Sequence, residues 1–180
     1  MNTPNKLTVF RISMVPVITA ILCLFRGQSL WLWISCGLFI VASLTDLLDG
    51  HLARKNNQIT NFGKFMDPLA DKLLVCAVLI CLIDWTLVPA WAVILIVARE
   101  FAISGIRLIA AEKGVVLAAS PIAKVKTNVQ MIWVIYLMIP LEWSFRQPLA
   151  WVLLAASVFL TLISFLDYVI KNAGLLKEQS

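Results

Sequence analysis

Four aspartates lie between two apolar runs, in the segment TDLLDGHLARKNNQITNFGKFMDPLADK, residues 45–72. Asp46 and Asp49 are three residues apart and Asp67 and Asp71 are four apart, so each pair would share one face of a helix. Two consecutive antiparallel helices, joined by the polar loop Lys55–Phe62, would bring the four carboxylates together at one edge. Like charges this close lose their charge by protonation unless cations offset them. Hard carboxylate oxygens suit Mg²⁺, Mn²⁺ or Ca²⁺, so the spacing predicts a divalent metal site.

Small residues accompany the carboxylates at helical spacing. Gly50 and Ala53 follow Asp46 by four and seven residues, and Gly63 precedes Asp67 by one turn. Small side chains leave room for a ligand to approach the backbone. The alternative is a set of solvated charges at helix ends, paired with neighbouring bases, and any single aspartate fits it. The whole set favours a functional site, because charges that border apolar spans are costly.

The composition shows which elements must position these side chains. The chain is 61% hydrophobic and 14% charged, with a mean hydropathy of +0.92, whereas soluble domains are about 45–50% apolar and about 25% charged. Lipid must therefore cover much of the surface, and lipid-spanning segments of about 20 residues have to be helical. The sequence predicts an all-α integral membrane protein of six transmembrane helices, forming one domain over residues 1–180. The predicted spans are Val9–Leu24, Leu30–Leu44, Leu69–Ile83, Leu87–Ala111, Val125–Leu141 and Leu149–Val169.

Charge asymmetry predicts the orientation. Thirteen of the fifteen Lys and Arg residues would lie at one end of the spans, and only Arg26 and Arg146 at the other. Positive charge marks the cytoplasmic side, so both termini and the aspartates are predicted to face the cytoplasm. Six of the seven tryptophans fall near the opposite ends, as an outer aromatic belt would. The basic residues sit at span ends and not on a soluble face, which disfavours nucleic acid as a partner.

The aspartate segment resembles the signature of the CDP-alcohol phosphatidyltransferase family. It matches at eight fixed positions: Asp46-x2-Asp49-Gly50-x2-Ala53-Arg54-x8-Gly63-x3-Asp67-x3-Asp71. The resemblance implies a six-helix membrane enzyme, usually dimeric, that transfers a phosphatidyl group from CDP-diacylglycerol to an alcohol and releases CMP. It also implies two Mg²⁺ or Mn²⁺ ions on the four aspartates, with Asp71 as general base. The donor CDP-diacylglycerol would contact Asn5, Thr8, Arg11, Gly50, Ala53, Arg54 and Gly63.

Three further segments indicate the acceptor. PNKLTVFRI (4–12), AREFAISGIRLIAAEKG (98–114) and IAKVKTNVQ (122–130) resemble the bacterial phosphatidylglycerophosphate synthase branch, which uses sn-glycerol 3-phosphate at the cytoplasmic face of the cell membrane. This acceptor is a dianion and needs cations. Arg99 and Arg107 are eight apart and share a helix face, and Lys124 and Lys126 open the next span, so these four residues are predicted to bind its phosphate. The bland alternative for them is positive-inside anchoring.

Other functions remain open at this point. A sibling phosphatidyltransferase would use inositol phosphate or phosphatidylglycerol as the acceptor. A small transporter would line a pathway with polar residues near the membrane midplane, but the charges here gather toward one side. A purely structural membrane protein would leave the aspartate spacing unexplained.

Overall fold

The computed structural model describes residues 3–56, 61–112 and 120–172. Within these ranges, the side chains of residues 3–7, 46–56, 61–68, 71, 109 and 112 are excluded from the description. The described ranges contain six helices and no strand, which confirms the all-α prediction. The helices are α1 Thr3–Leu24, α2 Ser29–Asn56, α3 Asn61–Asp84, α4 Ala90–Glu112, α5 Pro121–Met138 and α6 Arg146–Lys171.

Each predicted span falls largely on one helix, but the polar connection after the second span is shorter than expected. The sequence suggested a loop from Lys55 to Phe62, whereas α2 continues through Asn56 and α3 already begins at Asn61. The reason is local propensity: Leu, Ala, Arg and Lys dominate the end of α2 and are good helix formers, and a single interior glycine is tolerated. The signature residues before and after the connection therefore lie on helical backbone.

Apolar length singles out one helix. Over the described residues, α6 alone is long and apolar enough to cross a membrane by length and composition. Shorter apolar stretches run over Thr8–Leu24 and Ser29–Thr45. In α4, the polar residues Arg99, Glu100 and Arg107 interrupt the apolar run. The six transmembrane spans and the orientation of the termini stay predictions.

The chain divides into two compact units, and the first spans Met1–Pro89 together with Val134–Glu142. In this unit α1 packs against both α2 and α3, which also contact each other. Ile18, Phe39 and Leu79 are fully buried between the helices. The indole Nε1 of Trp85 donates a hydrogen bond of 2.8 Å to the carbonyl oxygen of Leu22, which ties the last turn of α1 to the residue after α3. The unit thus fixes the two helices that carry the aspartates against a common partner.

The second unit comprises Ala90–Trp133 and Trp143–Ser180, and in it α4 packs against α6. The buried face of α6 recurs every three or four residues, as helical periodicity requires. Four of the five residues on this buried face carry a hydroxyl group, which is unusual for an apolar helix. This face consists of Leu154, Ser157, Thr161, Ser164 and Tyr168. The expected single domain over residues 1–180 stays a prediction.

Candidate functional site

The aspartates occupy consecutive helices of the first unit. Asp46 and Asp49 lie on α2, and Asp67 and Asp71 lie on α3. On helical backbone, spacings of three and four place each pair on one face. Their side chains lie outside the described residues, as do those of the other predicted donor contacts on the same helices and at the start of α1. These contacts are Asn5, Gly50, Ala53, Arg54 and Gly63.

The chemistry of the aspartate set fits a divalent cation. Four carboxylates supply hard oxygen ligands of the kind that Mg²⁺ and Mn²⁺ take, and the set contains no soft sulfur ligand that would favour another metal. Among the side chains that the structure describes, no three His, Cys, Asp or Glu residues come together as potential ligands. The predicted metal site therefore rests on the aspartates alone and stays a prediction.

Two of the predicted nucleotide contacts lie inside the protein. Thr8 and Arg11 on α1 are 0% and 1% exposed, and each has an interaction partner in the protein. They are three residues apart, so they project from the same face of α1. A guanidinium is rarely buried unless its charge is compensated. The burial of Arg11 therefore indicates an internal role for it, in contrast to a solvated charge at the membrane surface.

The second unit contains a buried group of opposite charges, which we call the cation centre: Arg99, Glu100, Lys126 and Ser164. Arg99 Nη1 donates to Glu100 Oε1 at 3.0 Å, and Lys126 Nζ donates to the same carboxylate oxygen. Arg99 Nη2 donates to the hydroxyl of Ser164 on α6. All four residues are buried, at 9%, 6%, 2% and 1% exposure. One oxygen of Glu100 thus bridges two cations that come from two different helices.

The cation centre carries an excess of positive charge. Counted over the described side chains, two cations and one carboxylate leave the cation centre a net formal charge of +1 in a buried place, where electrostatic interactions are strong. The Nε–H of Arg99 is buried and finds no acceptor among the described residues. Buried donors are nearly always paired, so an unmet one needs an explanation. An anionic oxygen is the natural partner for such a donor.

Arg107 is held separately, by an aromatic ring of α6. Its Cζ lies 5.7 Å from the centroid of the Tyr168 ring, within the range of a cation–π interaction. Its Nε–H is likewise buried without an acceptor among the described residues. Lys124 is exposed on α5, and residues two apart do not share a helix face. Of the four predicted phosphate ligands, the structure therefore joins Arg99 and Lys126 and leaves Lys124 turned away from Lys126.

Sequence reasoning assigned no role to α6, yet this helix contacts both arginines of α4. Ser164 binds Arg99 and Tyr168 binds Arg107. A signal was present in the sequence: polar side chains recur at positions 157, 161, 164 and 168 of an otherwise apolar helix. Spacings of four, three and four place them on one face. Sequence reasoning also gave Glu100 no role in a site, yet its carboxylate pairs with both Arg99 and Lys126.

Comparisons with known proteins add an independent finding. A family model described as CDP-alcohol phosphatidyltransferase matches residues 1–163. A Bacillus subtilis (strain 168) protein is 45% identical, with 99% of each chain covered. A Rickettsia felis protein is 40% identical with 93% of each chain covered, and a Salmonella choleraesuis protein is 36% identical with 99% and 98% covered. All three are named CDP-diacylglycerol–glycerol-3-phosphate 3-phosphatidyltransferase.

Proposed function

Because the chain belongs to the CDP-alcohol phosphatidyltransferase family, we propose that it transfers the phosphatidyl group of CDP-diacylglycerol to sn-glycerol 3-phosphate. The products are phosphatidylglycerophosphate and CMP, so the reaction belongs to phospholipid biosynthesis. Relatives that carry the name of this activity match over nearly the whole chain, which supports the assignment. The structural observation that carries the choice of acceptor is the buried cation centre with its net positive charge.

The proposed setting is a bacterial cytoplasmic membrane. Six helices of 18 to 28 residues are roughly 27 to 42 Å long at about 1.5 Å per residue, comparable with a hydrocarbon core of roughly 30 Å. Six spans with both termini inside would place the aspartate ends of α2 and α3 at the cytoplasmic face, where a water-soluble phosphate acceptor is available. The active form is proposed to be a homodimer embedded in lipid.

The carboxylates of Asp46, Asp49, Asp67 and Asp71 are proposed to hold two Mg²⁺ or Mn²⁺ ions, as the family resemblance implies. When bound, divalent metal would neutralise charge on the pyrophosphate of the donor and on departing CMP. Arg54 would hold a donor phosphate, and Gly50, Ala53 and Gly63 would leave room for cytidine. Asn5, Thr8 and Arg11 would contact the nucleotide from α1.

The transfer itself requires one proton acceptor and one oriented nucleophile. The hydroxyl of glycerol 3-phosphate attacks the phosphorus that bears the diacylglycerol, and the bond from that phosphorus to the bridging pyrophosphate oxygen breaks, which releases CMP. Asp71 is proposed to accept the hydroxyl proton as general base. Holding the acceptor by its phosphate directs the hydroxyl at the phosphorus, which is an orientation effect. No covalent intermediate with the protein is required.

The acceptor phosphate is assigned to the basic residues of α4 and α5. Arg99 and Arg107 each keep a buried Nε–H that lacks an acceptor among the described residues, and a phosphate oxygen would satisfy such a donor. Lys126 adds a second charge beside Arg99 through their shared contact with Glu100. Lys124, which is exposed, would act at longer range by attracting the dianion.

An acceptor panel tests the assignment. Purified protein in detergent or lipid would receive CDP-diacylglycerol, Mg²⁺ or Mn²⁺, and one of glycerol 3-phosphate, inositol phosphate, phosphatidylglycerol or free inositol, with CMP release as the readout. Glycerol 3-phosphate should support the fastest release, because it combines a free hydroxyl with a phosphate dianion. Preference for inositol phosphate or phosphatidylglycerol would replace the acceptor within the same family.

The orientation needs a test of its own. Single cysteines introduced at Asn57 and at Gln147, in a variant lacking the native cysteines, would be labelled with a membrane-impermeant maleimide in intact cells. Gln147 should react from outside, and Asn57 should react only after the membrane is opened. The reverse pattern would contradict a cytoplasmic active site.

A further inference from the structure

The bridging carboxylate of the cation centre has no part in the reaction as described so far. We propose that Glu100 is a positioning residue for the acceptor phosphate, acting through Arg99 and Lys126. This inference rests on the proposed function, because it assigns Glu100 to the binding of the proposed acceptor. The inference assigns a negatively charged residue a role in binding a substrate that is itself an anion.

The geometry requires something to hold the two cations together. Arg99 and Lys126 come from different helices, and both reach one oxygen of Glu100. Both side chains are buried, at 9% and 2% exposure. Without the carboxylate, two like charges would face each other away from water and would repel strongly. Glu100 therefore fixes the separation and direction of the pair before any substrate arrives.

The arginine is held from a second side. Ser164 accepts a hydrogen bond from Nη2 of Arg99, while Nη1 is bound to Glu100. These two contacts fix the plane of the guanidinium, because its nitrogen atoms are coplanar. The remaining Nε–H is buried and has no acceptor among the described residues. An arginine oriented in this way presents one unmet donor in a fixed direction, beside a second positive charge.

The carboxylate of Glu100 weakens the electrostatic attraction of the site for an anion, but it preorganises the two cations. Without this shared carboxylate, the substrate would have to order two long cationic side chains further, which lowers affinity through lost side-chain entropy. With Glu100 in place, that ordering is already complete and the centre still carries a net +1. Removing its charge should therefore weaken acceptor binding, even though the site would become more positive.

The first experiment compares Glu100→Gln and Glu100→Asp with the matched control Asp167→Asn. Asp167 is also an ion-paired carboxylate of the same unit, bound to Lys171 at 2.6 Å. CMP release would be measured over a matrix of both substrate concentrations. Glu100→Gln should raise the KM for glycerol 3-phosphate by about tenfold or more, with less than about a twofold change for CDP-diacylglycerol. Glu100→Asp should recover part of the loss, and Asp167→Asn should behave as the wild type.

A double-mutant cycle asks whether Glu100 acts through its partner. Lys126→Met would be made alone and together with Glu100→Gln. If Glu100 serves to position Lys126, the second substitution should add less than its effect in the wild type, because the contact is already gone. If the fold-changes in the KM for glycerol 3-phosphate simply multiply in the double variant, the two residues act independently and this role is overturned.

Two further outcomes would overturn it. Equal KM changes for both substrates, accompanied by a lower melting temperature, would make Glu100 a structural residue of the fold. A lower KM for glycerol 3-phosphate in Glu100→Gln would make it a competitor of phosphate. Should Glu100→Gln fail to fold, Glu100→Asp and Ser164→Ala decide the matter by the same split between substrates.

Binding measurements separate this inference from the proposed function. Calorimetric titration of the wild type and of each folded variant with glycerol 3-phosphate and with inorganic phosphate needs no turnover. Phosphate binding that is lost in the Glu100 variants would support the positioning role even if another acceptor proves to be the substrate. If the Glu100 variants bind phosphate as tightly as the wild type does, the role is overturned, whatever the acceptor panel shows.

Discussion

The two groups of charge to which we assign the reaction are stabilised in different ways. The aspartates of α2 and α3 are all of one sign, and their counter-charge is expected from a bound metal. The cation centre in the other unit includes its own counter-charge, since Glu100 bridges Arg99 and Lys126. The aspartate group needs a bound cation, so it should be sensitive to the concentration of divalent metal in the solution. A cationic group with an internal carboxylate should be formed by the chain itself.

Removal of divalent metal should have the largest effect, and it should act on the aspartate group only. Addition of EDTA is expected to abolish CMP release, because four carboxylates without cations repel one another and lose their charge. Added Mg²⁺ or Mn²⁺ should restore the rate. Calorimetric binding of glycerol 3-phosphate in EDTA should persist, which would separate the two groups. Full activity in metal-free buffer would contradict the difference between them.

Asp71→Asn should have the next largest effect. The amide keeps the shape of the carboxylate but cannot accept the proton of the attacking hydroxyl. Loss of a general base costs about 10²–10⁴-fold in rate, so kcat should fall by at least that factor, and excess acceptor should not rescue it. A kcat within a few-fold of the wild type would remove Asp71 from the chemistry, and an unchanged melting temperature would exclude unfolding as the cause of a loss.

Arg107→Ala should affect the acceptor selectively. A charge-assisted hydrogen bond is worth about 1.5–3 kcal/mol, which corresponds to about a tenfold to a hundredfold rise in the KM for glycerol 3-phosphate. The KM for CDP-diacylglycerol should change little, and some loss of kcat is expected if the phosphate contact orients the hydroxyl. A variant that weakens the lipid donor and spares glycerol 3-phosphate would move Arg107 to the donor or to membrane anchoring.

The smallest effect is expected at Tyr168, whose ring lies 5.7 Å from the guanidinium carbon of Arg107. Tyr168→Leu removes the cation–π interaction, worth about 0.5–1 kcal/mol at exposed sites and about 2 kcal/mol when desolvated, and should raise the KM for glycerol 3-phosphate by about two- to thirtyfold. Tyr168→Phe is the matched control. It keeps the ring and loses only a hydroxyl that has no partner among the described residues, so its KM should equal that of the wild type. Equal losses in both variants would mean that the hydroxyl matters and not the ring.

The same contrast explains which parts were predictable from sequence. Asp46, Asp49, Asp67 and Asp71 are close together in the chain, so their spacing alone predicted two consecutive helices with shared faces, and the structure has both helices. The predicted loop began at Lys55, whereas α2 ends at Asn56, and a difference of two residues is the usual uncertainty of a helix end.

The cation centre was harder to predict because its contacts span long sequence distances. Arg99 and Ser164 are 65 residues apart, and nothing local in either segment indicates the other. The basic residues could be proposed as ligands from their charge, but their grouping depends on helix packing. Tertiary packing joins Arg99 to Lys126 and turns Lys124 outward, and a one-dimensional pattern carries little information about it.

The continuity of α2 has a mechanical consequence. Its apolar half is anchored by fully buried Phe39 and Ala42, and the same unbroken helix carries Asp46 and Asp49. Each residue turns an α-helix by about 100°, so the azimuth of both aspartates is set by packing more than one turn away. The packing of the apolar half of α2 therefore sets the direction in which the helix presents the two aspartate positions. A slip of one residue in that packing would rotate both aspartates together by a quarter turn or more.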